Sequence, residues 1–265
     1  MKHYRRLKFV ARPHLSMGVR LSSFVLFILP SLACATLLPP RPPVTWNNAA
    51  NNVVIQANGG GGMLFQPNPM PVARLWGDGR LVWVVGGTSG GRSVKIASLT
   101  PDQMRALLQT FLDDGFFGWK DNYSPGVVYD APSTCISVSL PSVSKSVCET
   151  LSGAPARFQD LLSRLASGAG ATGADYVPDS GYLRVTPLGT AVGPGGGPII
   201  AWPGERLGVR LADVGQGRWI EGEALRLAWG AVNADPLNPV LQDGDIYYRA
   251  QMLVANVTGI EPPNH

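Results

Sequence analysis

Histidine, the side chain that most often serves as a general base, is nearly absent from this sequence. His3 and His14 lie in the basic N-terminal stretch, and His265 is the last residue. A Ser-His-Asp triad, a Cys-His pair and a histidine zinc site would each lack the base or ligand that their chemistry needs. The sequence therefore excludes these catalytic and metal-binding classes for the region between His14 and His265.

Three glycine-rich stretches match known motifs only in form. Residues 87–91 match G-x-S-x-G, residues 86–93 nearly match a P-loop with Arg92 in place of lysine, and residues 168–173 match G-x-G-x-x-G. These motifs need a strand before the glycines and a helix after them. The first two precede a predicted strand and the third follows a predicted helix. We therefore expect glycine-rich connections and no cofactor.

Carboxylates offer the remaining route to catalysis. Asp113, Asp114, Asp121 and Asp130 could supply the paired acids that glycoside hydrolysis uses. A solvated helix end explains Asp113 and Asp114 without catalysis, and a turn cap before Ala-Pro explains Asp130. Residues 243–245, Asp-Gly-Asp, resemble part of a calcium loop but fit a hairpin turn better. The alternative function is thus a carboxylate-dependent hydrolase acting on cell-wall or extracellular polymer.

Tryptophan and arginine concentrate in residues 73–85, ARLWGDGRLVWVV. The Asp-Gly dipeptide at 78–79 between two apolar runs predicts a hairpin with a two-residue turn. That register places Arg74, Trp76 and Trp83 on one face. If the face is open, two indoles and a guanidinium would form a platform for sugar rings or a peptide. If helices cover it, the same residues belong to the core.

The N-terminal stretch has the features of a secretory signal peptide over residues 1–35. A basic, acid-free segment precedes an apolar run at 24–32, and Ala-Cys-Ala follows at 33–35. Three fates fit this pattern: cleavage, acylation of Cys34 as in a bacterial lipoprotein, and retention of residues 21–38 as an anchor. All three predict an extracytoplasmic protein, whether periplasmic, secreted or a cell-surface lipoprotein.

The basic character of the chain belongs to this leader. The leader holds six of the 22 basic residues and none of the 18 acidic ones, so the remainder carries 16 against 18 and a net charge of −2. This balance gives no electrostatic basis for binding nucleic acid. We expect membrane contact only through the possible N-terminal anchor.

Cys135 and Cys148 form an even pair once Cys34 is set aside. A turn centred on residues 141–142 would place the two cysteines directly opposite each other on paired strands. A disulfide here would close a short loop and stabilise the protein by about 3 kcal/mol in the chain-entropy model. Two free thiols are the alternative, and an oxidising compartment favours the bond.

The best-specified element is a helix that begins after Thr100. Thr100 and Gln103 form a capping-box pattern, and Gly115 stops the apolar stripe. A second helix begins at Pro155. We predict an α+β fold, an antiparallel β-sheet with two helices packed on one face, plus a smaller β-rich C-terminal segment.

The chain divides by composition into a Pro-rich spacer (36–51), a core domain (52–167), a linker (168–178) and a C-terminal β-rich segment (179–265). In the last segment we predict four strands, at 181–185, 198–202, 207–211 and 245–254. We also predict one helix, at 221–232.

The core domain contains four short motifs: LWGDGR at 75–80, Leu-Leu at 107–108, DGFF at 114–117 and YDAPST at 129–134. In this combination the chain resembles a family of secreted bacterial proteins, often lipoproteins, with no assigned function. The resemblance covers about residues 52–167. It implies an extracytoplasmic α+β domain and supplies no catalytic residues.

The function we expect is therefore that of an extracytoplasmic, non-catalytic module that binds a glycan or protein partner in the cell envelope.

Overall fold

The computed structural model describes residues 43–60, 68, 70–86, 91–127, 129–191 and 198–264. The predicted signal peptide, Cys34 and most of the glycine motif at 87–91 lie outside the described residues. Pro42–His265 forms one compact unit. Within the described residues, 13 strands in two sheets and four α-helices confirm the α+β fold. None of these helices is long and apolar enough to cross a membrane.

The larger sheet has eight strands: β1 (Val53–Gly60), β2 (Ala73–Trp76), β3 (Arg80–Gly86), β4 (Arg92–Ser98), β5 (Asn122–Tyr123), β6 (Ser133–Leu140), β7 (Val143–Thr150) and β8 (Ala174–Asp175). Their order across the sheet is β5-β7-β6-β1-β2-β3-β4-β8. Two helices interrupt the strand sequence, α1 (Pro101–Asp113) and α2 (Ala156–Ala166).

The smaller sheet has five strands: β9 (Ser180–Gly189), β10 (Ile199–Ala201), β11 (Arg218–Glu221), β12 (Val240–Asp243) and β13 (Ile246–Leu253). Their order is β10-β12-β13-β9-β11. The other two helices, α3 (Gly204–Leu207) and α4 (Gly222–Ala234), lie between β10 and β12 in the chain.

Two of these findings correct the sequence prediction. Both sheets are mixed, because β5 pairs with β7 and β10 pairs with β12 in parallel. Parallel neighbours need a long crossover connection, and the segment through α3 and α4 provides one between β10 and β12. The strand predicted at 207–211 is also wrong, since α3 ends there and Gly208 turns the chain with φ of 64°.

The central hairpin, β2–β3, has a different register from the predicted one. Leu75 pairs with Leu81 and Ala73 with Trp83, so the connection is longer than two residues. Backbone hydrogen bonds from other segments hold this connection in place. Leu99 N–H donates to the Gly79 carbonyl at 2.8 Å, and Gly77 N–H donates to the Asn52 carbonyl at 2.8 Å. These tertiary hydrogen bonds override the local preference for a two-residue turn.

Local signals were reliable elsewhere. The capping box of α1 is present, with Gln103 N–H donating to Thr100 Oγ1 at 3.2 Å and Thr100 N–H donating to Gln103 Oε1 at 2.8 Å. The disulfide prediction is also confirmed. Cys135 and Cys148 are directly opposite on β6 and β7 and are bonded.

The buried side chains form two cores on opposite faces of the central strands. The first core joins α1 and α2 with Leu75, Leu81 and Trp83. The second joins α4 and the smaller sheet with Trp76 and Val82. Because strand residues alternate between faces, β2 and β3 supply both cores at once.

The stretch predicted to be a linker packs closely on the larger sheet. A Cβ added at Gly168 or Gly173 would lie 2.6 or 2.1 Å from the Trp83 ring. The strand β8, within the same stretch, pairs with β4 through Lys95 and Asp175. Backbone therefore covers one edge of the indole where no side chain would fit.

Gly173→Ala should lower the melting temperature by several degrees, because the new methyl group overpacks the buried Trp83 ring at a cost of about 1–3 kcal/mol. Gly230→Ala is the matched control. Gly230 lies in α4 with open space at its Cβ position, so this change should stabilise the protein by roughly 1 kcal/mol. Differential scanning calorimetry measures both. Equal effects of the two changes would contradict the packing described here.

Thr100→Ala should destabilise the protein by about 1 kcal/mol, because the first turn of α1 loses its side-chain cap. Thr100→Ser keeps the hydroxyl and should retain most of the stability. Guanidinium denaturation followed by circular dichroism gives the two free energies of unfolding. A serine variant as unstable as the alanine variant would show that the hydroxyl is not the stabilising group.

Candidate functional site

The three residues predicted to form a binding platform are buried. The exposed fractions are 7% for Arg74, 0% for Trp76 and 4% for Trp83. The corrected register places the two indoles on opposite faces of the hairpin, one in each core. The three side chains therefore share no open surface.

Arg74 and Trp76 instead join the central hairpin to the C-terminal part of the chain. The guanidinium of Arg74 lies 5.9 Å from the Trp76 ring centroid, and that of Arg80 lies 4.3 Å from it. Arg74 also donates to the Asn256 carbonyl and lies 4.0 Å from Glu261. Desolvation lowers the pKa of Arg74, and the Glu261 carboxylate partly opposes this change. The arrangement is that of a buried structural contact.

Three of the four candidate catalytic carboxylates contact other side chains near α1 and the hairpin of β6 and β7. Asp113 accepts a hydrogen bond from Gln109 at 2.9 Å. Asp114 lies 3.6 Å from the Arg157 guanidinium, and Asp121 forms an ion pair with Lys145. Asp130 is exposed in a turn, with φ of 55°. Asp113 and Asp114 therefore lie at the end of α1, as the solvated helix-end interpretation predicts.

A hairpin turn joins β12 and β13 at the Asp-Gly-Asp segment of residues 243–245, as predicted. Asp243 pairs with Ile246, however, so the two connecting residues are Gly244, at φ of 61°, and Asp245. The Asp243 carboxylate accepts a hydrogen bond from Leu211 N–H at 2.7 Å. Within the described ranges, no group of three His, Cys, Asp or Glu side chains is placed to hold a metal ion.

Several polar side chains line a cleft on another surface, the outward side of the smaller sheet. Alternate residues of β9 and β13, such as Leu183 and Met252, enter the second core. The residues between them therefore point away from it. A cleft of about 490 Å³ lies on this side. We call it the polar cleft, and its polar lining comprises Arg184, Thr186, Gln216, Arg249 and Gln251.

Two aromatic side chains lie near the polar cleft: Tyr182 contacts Arg184 of its lining, whereas Trp219 lines a neighbouring cleft together with Glu221. Tyr182 of β9 lies opposite Trp219 of β11, with ring centroids 5.7 Å apart and planes at 66°. Both rings are half-buried. A Cβ at Gly217, where φ is 138°, would lie 2.2 Å from the Tyr182 ring, so only glycine lets the chain pass this closely. The loop before β11 thus packs directly against one of the two rings.

Neutral groups orient the two arginines of the polar cleft. The Arg184 guanidinium lies 5.4 Å from the Tyr182 ring centroid. Arg249 Nε donates to the Asn238 side chain at 3.0 Å. Both arginine side chains are exposed, so their remaining N–H groups are available to a ligand.

Sequence reasoning predicted strands over parts of β9 and β13, but it predicted neither β11 nor the site. The alternation of Tyr182, Arg184 and Thr186 with Leu183 and Val185 was the available signal. It identifies one apolar and one polar face of a strand. It does not show which second strand will place further polar groups beside them.

Comparison of the chain with protein-family models, with curated proteins and with solved structures finds no match. The site is therefore argued from the geometry of this chain.

Collisional quenching of tryptophan fluorescence by acrylamide distinguishes the two aromatic surfaces. Trp219→Phe should lower the quenchable fraction, because this indole is half-exposed near the polar cleft. Trp76→Phe and Trp83→Phe should leave that fraction unchanged or raise it, since both remove shielded emitters. A fall in the quenchable signal on removing Trp76 would show that the central hairpin is open on that side.

Proposed function

We propose that the protein is an extracytoplasmic, non-catalytic module that binds a glycan of the cell envelope. The observation that carries the proposal is the Tyr182–Trp219 ring pair, joined to the polar cleft through the contact between Tyr182 and Arg184. The first part of the chain, with its two helices, then serves as a scaffold that holds the smaller sheet.

Sugars and this surface have complementary chemistry. A pyranose ring presents C–H groups on its faces, which pack on aromatic rings, and hydroxyl groups on its edge, which need donors and acceptors. Tyr182 and Trp219 supply the apolar part. Gln216, Gln251 and Thr186 supply amide and hydroxyl groups in the adjoining cleft. An aromatic wall beside a few polar groups is typical of small-ligand sites.

The composition of the cleft supports binding over hydrolysis. Glycoside hydrolysis uses two carboxyl groups that flank the bond to be cleaved. The described residues that line the polar cleft include no Asp or Glu. The Cys135–Cys148 bond supports the proposed location, because disulfides persist in oxidising compartments outside the cytoplasm.

A sedimentation assay tests the proposal with protein produced from the whole chain. The probes are three insoluble glycans: chitin, cellulose and peptidoglycan sacculi. We expect retention on at least one of them, and Trp219→Ala should weaken it about tenfold, which corresponds to 1.4 kcal/mol. Tyr129→Ala is the matched control, because this tyrosine is 85% exposed in a loop of the first part of the chain.

Circular dichroism should show that both variants are folded. Retention on none of the three glycans, together with no binding of a soluble glycan polymer, would overturn the proposal. Equal weakening by the two variants would show that binding does not use the surface around the polar cleft.

A further inference from the structure

The two arginines of the polar cleft have no acidic partner among the described residues. The ion pairs found among the described residues use other cations, namely Arg74, Lys95, Arg105, Lys145, Arg157 and Arg206. Arg184 and Arg249 contact a ring and an amide instead, neither of which carries charge. Their positive charges are held in place without being neutralised.

The sheet brings these two charges together. Arg184 of β9 is opposite Gln251 of β13, and Thr186 is opposite Arg249. The two arginines are thus diagonal neighbours on one face, a spacing of about 7–8 Å in a regular antiparallel pair, with the Cβ atoms somewhat closer. Like charges at this spacing repel each other, and a bound anion would remove the repulsion.

Guanidinium groups select particular anions. Each presents a planar fork of N–H donors that matches the two oxygens of a carboxylate, and it also binds sulfate or phosphate oxygens. Because the Tyr182 ring and the Asn238 amide already orient the two forks, less side-chain freedom is lost when a ligand binds. The chain beyond its leader has a net charge of −2, so this attraction is local to the cleft.

We infer that the ligand of the polar cleft is an acidic glycan, whose sugar-borne oxyanion is bound by Arg184 and Arg249 together. Gln216 and Gln251 then contact neighbouring hydroxyl groups. This inference rests on the proposed function and specifies the substrate class of the same site. It assigns the two arginines as the residues that determine specificity.

Soluble polymers with matched neutral forms test the inference on protein produced from the whole chain. Polygalacturonate is compared with its methyl-esterified form, and dextran sulfate with dextran, by isothermal titration calorimetry. The first pair tests carboxylates and the second tests sulfates. We expect at least one acidic polymer to bind tenfold or more tightly than its neutral form, and binding to weaken as sodium chloride is raised.

Arg184→Gln/Arg249→Gln should reduce binding of that acidic polymer at least tenfold. The control, Arg210→Gln/Arg226→Gln, removes the same total charge from two exposed arginines outside the cleft lining and should change affinity less than twofold. Arg184→Lys/Arg249→Lys keeps the charge but loses the planar fork, so an intermediate loss is expected. Circular dichroism checks the fold of each variant.

The outcomes separate the two proposals. Equal affinity for acidic and neutral forms would overturn the inference and leave glycan binding in place. Equal losses in the cleft and control variants would also overturn it, because attraction would then be diffuse. Absence of binding to all four polymers, with retention on an insoluble glycan, would overturn only the inference. Absence in both assays would overturn both proposals.

Discussion

Burial of the central hairpin on both faces is the constraint on which this structure depends. Trp76 contributes to one core and Trp83 to the other, although only six residues separate them in the chain. A shift of one residue in the pairing would exchange the two sets of side chains and damage both cores together. The backbone hydrogen bonds at Gly77 and Gly79 hold the register that keeps each indole on its own side.

The arrangement of the second core also determines where a ligand site can form. The inner residues of β9 and β13 pack with α4, so the polar residues that alternate with them face outward. Arg184 and Arg249 are therefore placed by the same alternation that buries Leu183 and Ala250. The buried side chains and the lining of the polar cleft therefore occupy opposite sides of the same two strands.

Short-range signals made part of this structure predictable. The cap of α1 at Thr100, the pairing of Cys135 with Cys148 and the turn at 243–245 each depend on residues close in the chain. The register of the central hairpin depends on Asn52 and Leu99, which approach only in the folded protein. The parallel pairs and the polar cleft likewise require strands whose neighbours no local pattern specifies. Sequence reasoning placed Trp76 and Trp83 on one face because it assumed a two-residue turn, which distant contacts override.

The ends of the compact unit meet at the central hairpin, and this affects when folding can be completed. Arg74 donates to Asn256, and the buried Asn68 side chain accepts from Met252 N–H at 2.7 Å; these contacts span 182 and 184 residues. The second core cannot close until the ribosome has made the chain past residue 256. Late closure of these contacts would thus delay compaction of the second core until synthesis of the chain is nearly complete.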